Sequence, residues 1–311
     1  EISLGLVGSE MCIRDRSICD CAWRGKILHM EDKIIKTKEK EFDKLTIKDN
    51  FIFGAVMRNE KQCKTLLECI LGIKIRKIEY TDVEKVIEKT YSSKGVRLDV
   101  YVEDDMNTVY NIEMQATNKK NLPKRIRYYQ AMIDLNIIEK GSSYNKLKKS
   151  FIIFICDYDE FGFGRHIYTF TRTCREVAGL EFGDDTTVIV LNTNGIADDV
   201  SDDLKNLLKY IGGQAPRGEL ARSLDNEVQN VKNSEKWRRE YMTLQMRDRE
   251  NVELGEMKKQ VFLIRKITRD KVAATSDFLG VSESFVIKVM DLIEENPDLD
   301  DEEIAEMLVD F

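Results

Sequence analysis

Histidine and proline are scarce in this 311-residue chain, which contains two histidines and three prolines. Zinc hydrolases, Ser-His-Asp triads and histidine-dependent metal nucleases need clustered imidazole groups, so these mechanisms are hard to build here. The seven cysteines are irregularly spaced and form no CxxC pair, which argues against a disulfide framework and against a structural zinc site. We therefore expect reduced thiols in a cytoplasmic protein whose catalysis, if any, depends on carboxylates.

Long apolar runs are also missing. None approaches the roughly 20 residues that a membrane-spanning helix needs, so we expect no membrane partner. With 42% hydrophobic and 34% charged residues, the composition is typical of a globular protein. The net charge of −7 comes from the C-terminal part, because residues 225–311 carry 13 basic and 21 acidic side chains while the rest of the chain is nearly neutral. The overall charge therefore does not exclude a nucleic-acid partner for the first part.

Composition and pattern predict three segments. Residues 1–16 resemble a translated sequencing adapter, so we expect residues 1–29 to be a non-native leader and translation to begin at Met30. Residues 30–224 are predicted to form an α/β domain, and residues 225–311 an acidic helical region. Within the latter, residues 271–293 resemble a helix-turn-helix, but its second helix is too acidic for major-groove binding. We expect it to pair with another subunit or with a protein partner.

The α/β domain begins with helical periodicity over residues 49–72 and continues with alternating, strand-like runs. Two of these runs, residues 96–103 and 109–115, are separated by turn-forming residues and predict a hairpin. A helix is expected from Pro123 to Lys140, followed by a strand at Phe151–Cys156. Further strands are expected near residues 167–172 and 187–191, and a helix near 203–211. The predicted order is helix, strands, helix, strand.

The hairpin carries the polar residues of interest. If its turn centres near Met106, then Asp99 and Glu113 are cross-strand neighbours. Alternation places Asp99, Tyr101, Asn111, Glu113 and Gln115 on one face, with Leu98, Val100, Val102, Tyr110, Ile112 and Met114 on the other. The simplest interpretation is a half-solvated hairpin whose polar face meets water. The alternative is that a divalent cation, Mg²⁺ or Mn²⁺, lies between the two carboxylates and offsets their repulsion.

The residues around this pair resemble a known family. Arg97-Leu98-Asp99-Val100, followed by Tyr110-Asn111-Ile112-Glu113-Met114-Gln115, is similar to the PD-(D/E)xK nuclease signature of the recombination-promoting nuclease (Rpn) and transposase-related family, in which Glu-x-Gln replaces Glu-x-Lys. The similarity covers roughly residues 45–192. It implies a restriction-endonuclease-like α/β fold with an αβββαβ core, here followed by the C-terminal helical region.

The resemblance also implies roles for individual residues. Asp99 and Glu113 would ligate the metal, and Gln115 would stand where a lysine is usual and would orient water or phosphate. A neutral amide cannot lower the pKa of the attacking water as an ammonium can, so weak activity is an expectation. Asp49 is the candidate for an additional acid on the first helix.

Basic residues are concentrated after the hairpin. Residues 119–149 contain nine lysines and arginines against Asp134 and Glu139. Phosphate contacts supply most non-specific affinity for DNA, so this segment is the expected DNA contact. The candidates are Lys119, Lys120, Lys124, Arg125, Arg127 and Tyr129.

We therefore expect a Mg²⁺-dependent or Mn²⁺-dependent DNA endonuclease. Two alternatives stay open. One is a DNA-binding or partner-binding module that has kept the scaffold and lost turnover. The other is an RNase H-like DDE transposase, in which Asp157, at the end of the strand Phe151–Cys156, would join Asp99.

Overall fold

The computed structural model describes residues 41–87 and 95–309. The expected leader, residues 1–29, lies outside the described residues. Among the helices that are described, none combines the length and the apolar character that crossing a membrane requires.

Two helices open the described chain where the sequence predicts one continuous helical segment. They are α1 (Asn50–Met57) and α2 (Glu60–Leu71). The break follows from Asn59, whose side-chain oxygen accepts hydrogen bonds from two amides in the first turn of α2 at 3.1 and 3.4 Å and so starts a new helix. Gly72 ends α2 in the left-handed conformation, with φ of 66°, as its position predicts.

Six strands form one mixed sheet in the order β1-β2-β3-β4-β6-β5. They are β1 (Ile78–Ile87), β2 (Val96–Asp104), β3 (Val109–Gln115), β4 (Ser150–Cys156), β5 (Ile167–Phe170) and β6 (Thr186–Asn192). β1, β2 and β3 are antiparallel, β3, β4 and β6 are parallel, and β5 pairs antiparallel with β6 at the edge. With α3 (Leu122–Ile137) between β3 and β4, the order contains the predicted αβββαβ core and confirms the fold class.

The hairpin of β2 and β3 has the register that the sequence predicts. Tyr101 lies opposite Asn111 and Val100 opposite Ile112, so the turn centres on Met106. Asn107 adopts a positive φ of 59° in this turn, a conformation that asparagine tolerates better than most residues. Continuing the register by one step brings Asp99 beside Glu113.

β3 is buried on both faces of the sheet, so the half-solvated interpretation of the hairpin is wrong. Every residue of β3 is buried. One face packs on α1 and α2, with Val100, Val102, Tyr110, Ile112 and Met114 in the larger hydrophobic cluster. α3 covers the other face, where the polar residues lie. Leu98, expected on the apolar face with Val100, belongs instead to the cluster under α3.

Two further helices complete the packing on the larger cluster. They are α4 (Asp202–Ile211) and α5 (Gly218–Lys232). α5 contributes side chains from Ala221 to Val231 to this core. The predicted boundary at residue 224 therefore lies within α5, and the division into a nuclease domain and a helical region stays a prediction.

The rest of the described chain, up to residue 309, is helical, as expected. The helices are α6 (Glu235–Ile264), α7 (Val272–Leu279), α8 (Glu283–Glu295) and α9 (Asp301–Val309). They share their own hydrophobic cluster, which includes Val261, Val289 and Ile304. Gly280 ends α7 with φ of 65°, and the Ser282 hydroxyl caps α8 by accepting from the amide of Phe285 at 3.1 Å.

Candidate active site

Two side-chain to backbone hydrogen bonds hold the carboxylates of Asp99 and Glu113 in place across the open end of the hairpin. The Asp99 amide donates to Glu113 Oε1 at 3.1 Å, and the Met114 amide donates to Asp99 Oδ2 at 2.9 Å. Each carboxylate thus accepts from the opposite strand, where the regular strand pairing has stopped after Val100 and Ile112. The two acidic groups are held together at the point where the strands separate.

Both carboxylates are buried. Asp99 is 7% exposed and Glu113 is 0% exposed. Burial, together with the charge of Asp99, raises the pKa of Glu113 well above its ordinary value, although the Asp99 amide and the Arg125 guanidinium act in the opposite direction. A cation bound beside the pair would favour the deprotonated form of Glu113 and offset its repulsion from Asp99.

Arg125, from the first turns of α3, reaches into this site. Its guanidinium donates to Glu113 Oε2 at 3.4 Å, to the Tyr129 hydroxyl at 2.8 Å and to Gln115 Oε1. It also lies over the rings of Tyr129 and Phe154, with centroid distances of 4.9 and 5.4 Å. The sequence predicts Arg125 as a DNA contact within reach of the scissile phosphate, and the structure places it beside Glu113 and Gln115.

Gln115 stands at the end of β3 with both ends of its amide engaged. Its Oε1 accepts from Arg125, and its Nε2 donates to the Thr117 carbonyl oxygen at 2.6 Å. A glutamine here therefore fixes a guanidinium beside Glu113. The positive charge beside Glu113 comes from Arg125 on α3, where a lysine at position 115 would otherwise carry it.

The first helix contributes Asn50, which sequence reasoning missed. Its Nδ2 donates to Asp99 Oδ1 at 3.1 Å. The predicted acid Asp49, one residue earlier, accepts instead from the backbone and hydroxyl of Thr46 at 2.8 and 3.2 Å. The sequence shows only that two polar residues, Asp49 and Asn50, stand together at the start of α1. It does not show which of them faces Asp99.

The predicted DNA contacts divide into two groups. Lys119, Lys120, Lys124 and Arg127 are exposed around the N-terminal end of α3. Tyr129 is only 8% exposed and packs toward Phe154, with its hydroxyl bonded to Arg125. Tyr129 therefore contacts the site through Arg125 and presents little surface to a ligand.

Asp157, the key acid of the DDE alternative, follows β4 but is already engaged. It forms an ion pair with Lys48 at 2.8 Å and accepts from the Thr193 hydroxyl at 2.8 Å. Its amide donates to the Gln115 carbonyl oxygen at 3.1 Å, which places it beside the site. Its carboxylate joins Lys48 to Thr193 at the C-terminal end of β4.

The oxygen ligands fit a hard divalent cation. Within residues 41–87 and 95–309, no three His, Cys, Asp or Glu side chains are grouped so that they could hold a metal ion. An ion at Asp99 and Glu113 would therefore take its other ligands from water, phosphate or backbone oxygen. Mg²⁺ is commonly held by one or two carboxylates together with waters and substrate phosphates, so two buried carboxylates suit it.

The chain matches the model of a known protein family. A family model described as PD-(D/E)XK nuclease family transposase matches residues 34–205, more than half of the chain and including every residue of the site. No curated protein and no solved structure matches.

Proposed function

This chain belongs to the PD-(D/E)XK nuclease family transposases, and from that membership we propose that it is a metal-dependent DNA endonuclease that hydrolyses phosphodiester bonds. The observation that carries the proposal is the buried contact between Asp99 and Glu113. Asp99 raises the pKa of Glu113, so the two buried carboxylates repel each other when both are ionised. The Arg125 guanidinium offsets only part of that effect. A divalent ion is the ligand that suits their chemistry.

Asp99 and Glu113 would hold the ion, Mg²⁺ or Mn²⁺, with Asn50 fixing the orientation of Asp99. When bound, such an ion lowers the pKa of a ligated water and neutralises charge that develops on the phosphate. Water is the nucleophile. The protein's part is to fix the direction of both carboxylates through the backbone amides of Asp99 and Met114. The ion would favour the deprotonated form of Glu113, whose pKa burial raises.

Arg125 would provide the fixed positive charge of the site. Gln115 and Tyr129 hold its guanidinium on either side, and Glu113 lies within 3.4 Å of it. A guanidinium with 28% side-chain exposure is close enough to solvent to meet a phosphate oxygen. In this proposal Gln115 acts through Arg125 and not on the water directly.

The exposed lysines and Arg127 around the start of α3 would bind the DNA backbone. Their ammonium and guanidinium groups, with the unpaired amides of a helix N-terminus, attract phosphates. DNA held there runs beside the carboxylate pair. A role in recombination or transposition, a cytoplasmic location and a partner for the C-terminal helices are further proposals.

The second candidate is a DNA-binding module without turnover. It is favoured by Gln115, because no lysine stands at the usual position beside the acids. The RNase H-like alternative, by contrast, loses support from the family match and from the engagement of Asp157.

A nicking assay separates the two candidates. Supercoiled plasmid is incubated with the full chain in Mg²⁺, Mn²⁺ or EDTA, alongside Asp99→Asn, Glu113→Gln and the exposed control Glu139→Gln. We expect metal-dependent nicking that falls at least a hundredfold in the two site variants and is unchanged in the control. Plasmid binding without nicking by the unaltered chain in either metal would contradict the nuclease and favour the binding module.

A further inference from the structure

A cavity of about 310 Å³ lies between α3, β5 and β6. Its floor and walls are mainly apolar, and the ring of Phe170, which is 45% exposed, stands at its opening. Phe161 lines the cavity beside it, with the two ring centroids 5.0 Å apart at an interplanar angle of 52°. The apolar lining comes from Pro123, Ile126, Phe161, Phe170, Val188 and Val190.

This cavity is in line with the carboxylate pair across the sheet. Glu113 on β3 pairs with Phe154 on β4, and Phe154 pairs with Val190 on β6. Residues paired in this way point to the same face, and two strand spacings amount to about 10 Å. Val190, on the cavity floor, therefore lies about 10 Å from Glu113. This is about the length of three stacked nucleotides, because stacked bases rise about 3.4 Å each.

α3 lies between the two places and carries positive charge toward both. Arg125 faces the acids, whereas Arg127, two residues later, lines the cavity. Arg172 lines the opposite rim, where it pairs with Asp184 at 2.6 Å. The exposed lysines 119, 120 and 124 surround the helix end over which a strand would cross from one place to the other. An apolar cavity with basic side chains around it suits a ligand that has a flat apolar ring and an anionic backbone.

We propose that the cavity receives an unpaired nucleobase of the DNA strand held at Asp99 and Glu113, so that the preferred substrate has single-stranded nucleotides next to the scissile bond. This inference rests on the proposed function. A base ring stacks favourably against aromatic side chains whatever its sequence, and Arg127 lies where the adjoining phosphate would pass. A base that is paired and stacked in a duplex cannot enter, which makes the cavity selective for unpaired DNA.

The test measures binding without turnover. Fluorescence anisotropy in EDTA compares the full chain on a blunt duplex and on the same duplex with a three-nucleotide overhang containing 2-aminopurine. We expect about tenfold tighter binding of the overhang DNA, with 2-aminopurine quenched by stacking. Phe170→Ala should remove the preference and the quenching, and Phe170→Trp should retain both. Phe182→Ala, a 72% exposed phenylalanine that does not line the cavity, is the matched control and should bind like the unaltered chain.

Equal affinity for the two DNAs, or a preference that survives Phe170→Ala, would overturn the proposal. The outcome is separable from that of the nicking assay. If nicking fails while the overhang preference and its loss in Phe170→Ala are observed, the proposed hydrolysis is wrong and the base site stands. If nicking depends on metal and on the two acids but both DNAs bind equally, the nuclease stands and the base site is wrong.

Discussion

The backbone amide of Asp99 donates to Oε1 of Glu113 at 3.1 Å, so the two acids meet through one hydrogen bond where β2 and β3 separate. The Met114 amide also lies where the strands separate, and it donates to Oδ2 of Asp99 at 2.9 Å. The carboxylates thus replace the backbone pairing that would otherwise continue along the ladder. Their direction is fixed by the strands themselves and does not depend on a bound ion.

The pH dependence of stability follows from the raised pKa of Glu113. In the folded chain, burial and Asp99 keep the proton on this carboxyl to a higher pH than in the unfolded chain. The unfolded state therefore binds fewer protons between the ordinary carboxyl pKa and the raised one, and the free energy of unfolding falls as pH rises through this window. Urea unfolding in EDTA from pH 4 upward measures it.

Glu113→Gln should flatten that decline, because the amide cannot ionise, whereas Glu139→Gln should leave it unchanged. Adding Mn²⁺ should restore stability on the high-pH side of the window, since the ion binds the deprotonated pair. A decline of the same slope in Glu113→Gln would show that another group is responsible.

Arg125 and Arg127 should fail in different ways. Arg125→Gln removes the guanidinium beside Glu113, and we expect cleavage to fall about a hundredfold, within the range that a single fixed positive donor supplies to a transition state. Arg125→Lys keeps the positive charge but cannot make the three contacts at once. Its cleavage rate should lie between those of the unaltered chain and Arg125→Gln. Single-turnover rates at saturating DNA measure this.

Arg127→Ala, by comparison, removes one exposed phosphate contact. We expect weaker DNA binding with little change in the saturated rate. Each phosphate contact contributes about −0.9 to the slope of log affinity against log salt concentration for duplex DNA. The variant's slope should therefore be smaller in magnitude by roughly 0.9. Arg222→Ala, on an exposed position of α5, is the control for general charge loss. Identical effects of the Arg125 and Arg127 variants on rate would refute their separate roles.

Asn50 should act as a positioning residue. Asn50→Ala removes the 3.1 Å hydrogen bond to Asp99 Oδ1. We expect divalent-metal affinity to fall about tenfold to a hundredfold, as is typical for groups that orient a metal ligand. The apparent metal constant for cleavage should rise while the rate at saturating metal changes less. Asn136→Ala, on the exposed side of α3, is the control, and equal metal constants in both variants would contradict the role.

The C-terminal helices should be energetically separable from the sheet. Ile304→Ala creates a cavity in their own cluster and should cost about 2–5 kcal/mol there. Hydrogen exchange should rise in the second half of α6 and in α7, α8 and α9, where the side chains share the C-terminal cluster, and stay unchanged in β3 and β4. Exchange that rises equally throughout the sheet would show a single cooperative unit.

Much of the site could be predicted from the sequence because strand alternation and a symmetric turn fix which residues meet. Met106 at the centre of the hairpin is enough to pair Asp99 with Glu113, and burial fixes which face they share. Gly72, Gly280 and Ser282 likewise mark helix ends through local backbone geometry alone.

The contacts from distant segments could not be predicted in this way. Arg125 reaches Glu113 and Gln115 only because α3 crosses the polar face of the sheet, and no local pattern gives that crossing. The choice between Asp49 and Asn50 depends on a fraction of a helical turn, since Asp49 bonds to Thr46 while Asn50 reaches Asp99. The regular alternation also failed at Leu98, next to the place where the ladder stops.

The central claim is that Asp99 and Glu113 together bind one divalent ion, and Mn²⁺ binding tests it most directly. Isothermal titration of the full chain at neutral pH should give one site, absent from Asp99→Asn and from Glu113→Gln and retained in Glu139→Gln. Circular dichroism of each variant establishes that the fold is kept. A single Mn²⁺ site that persists unchanged in both acid variants would contradict the account.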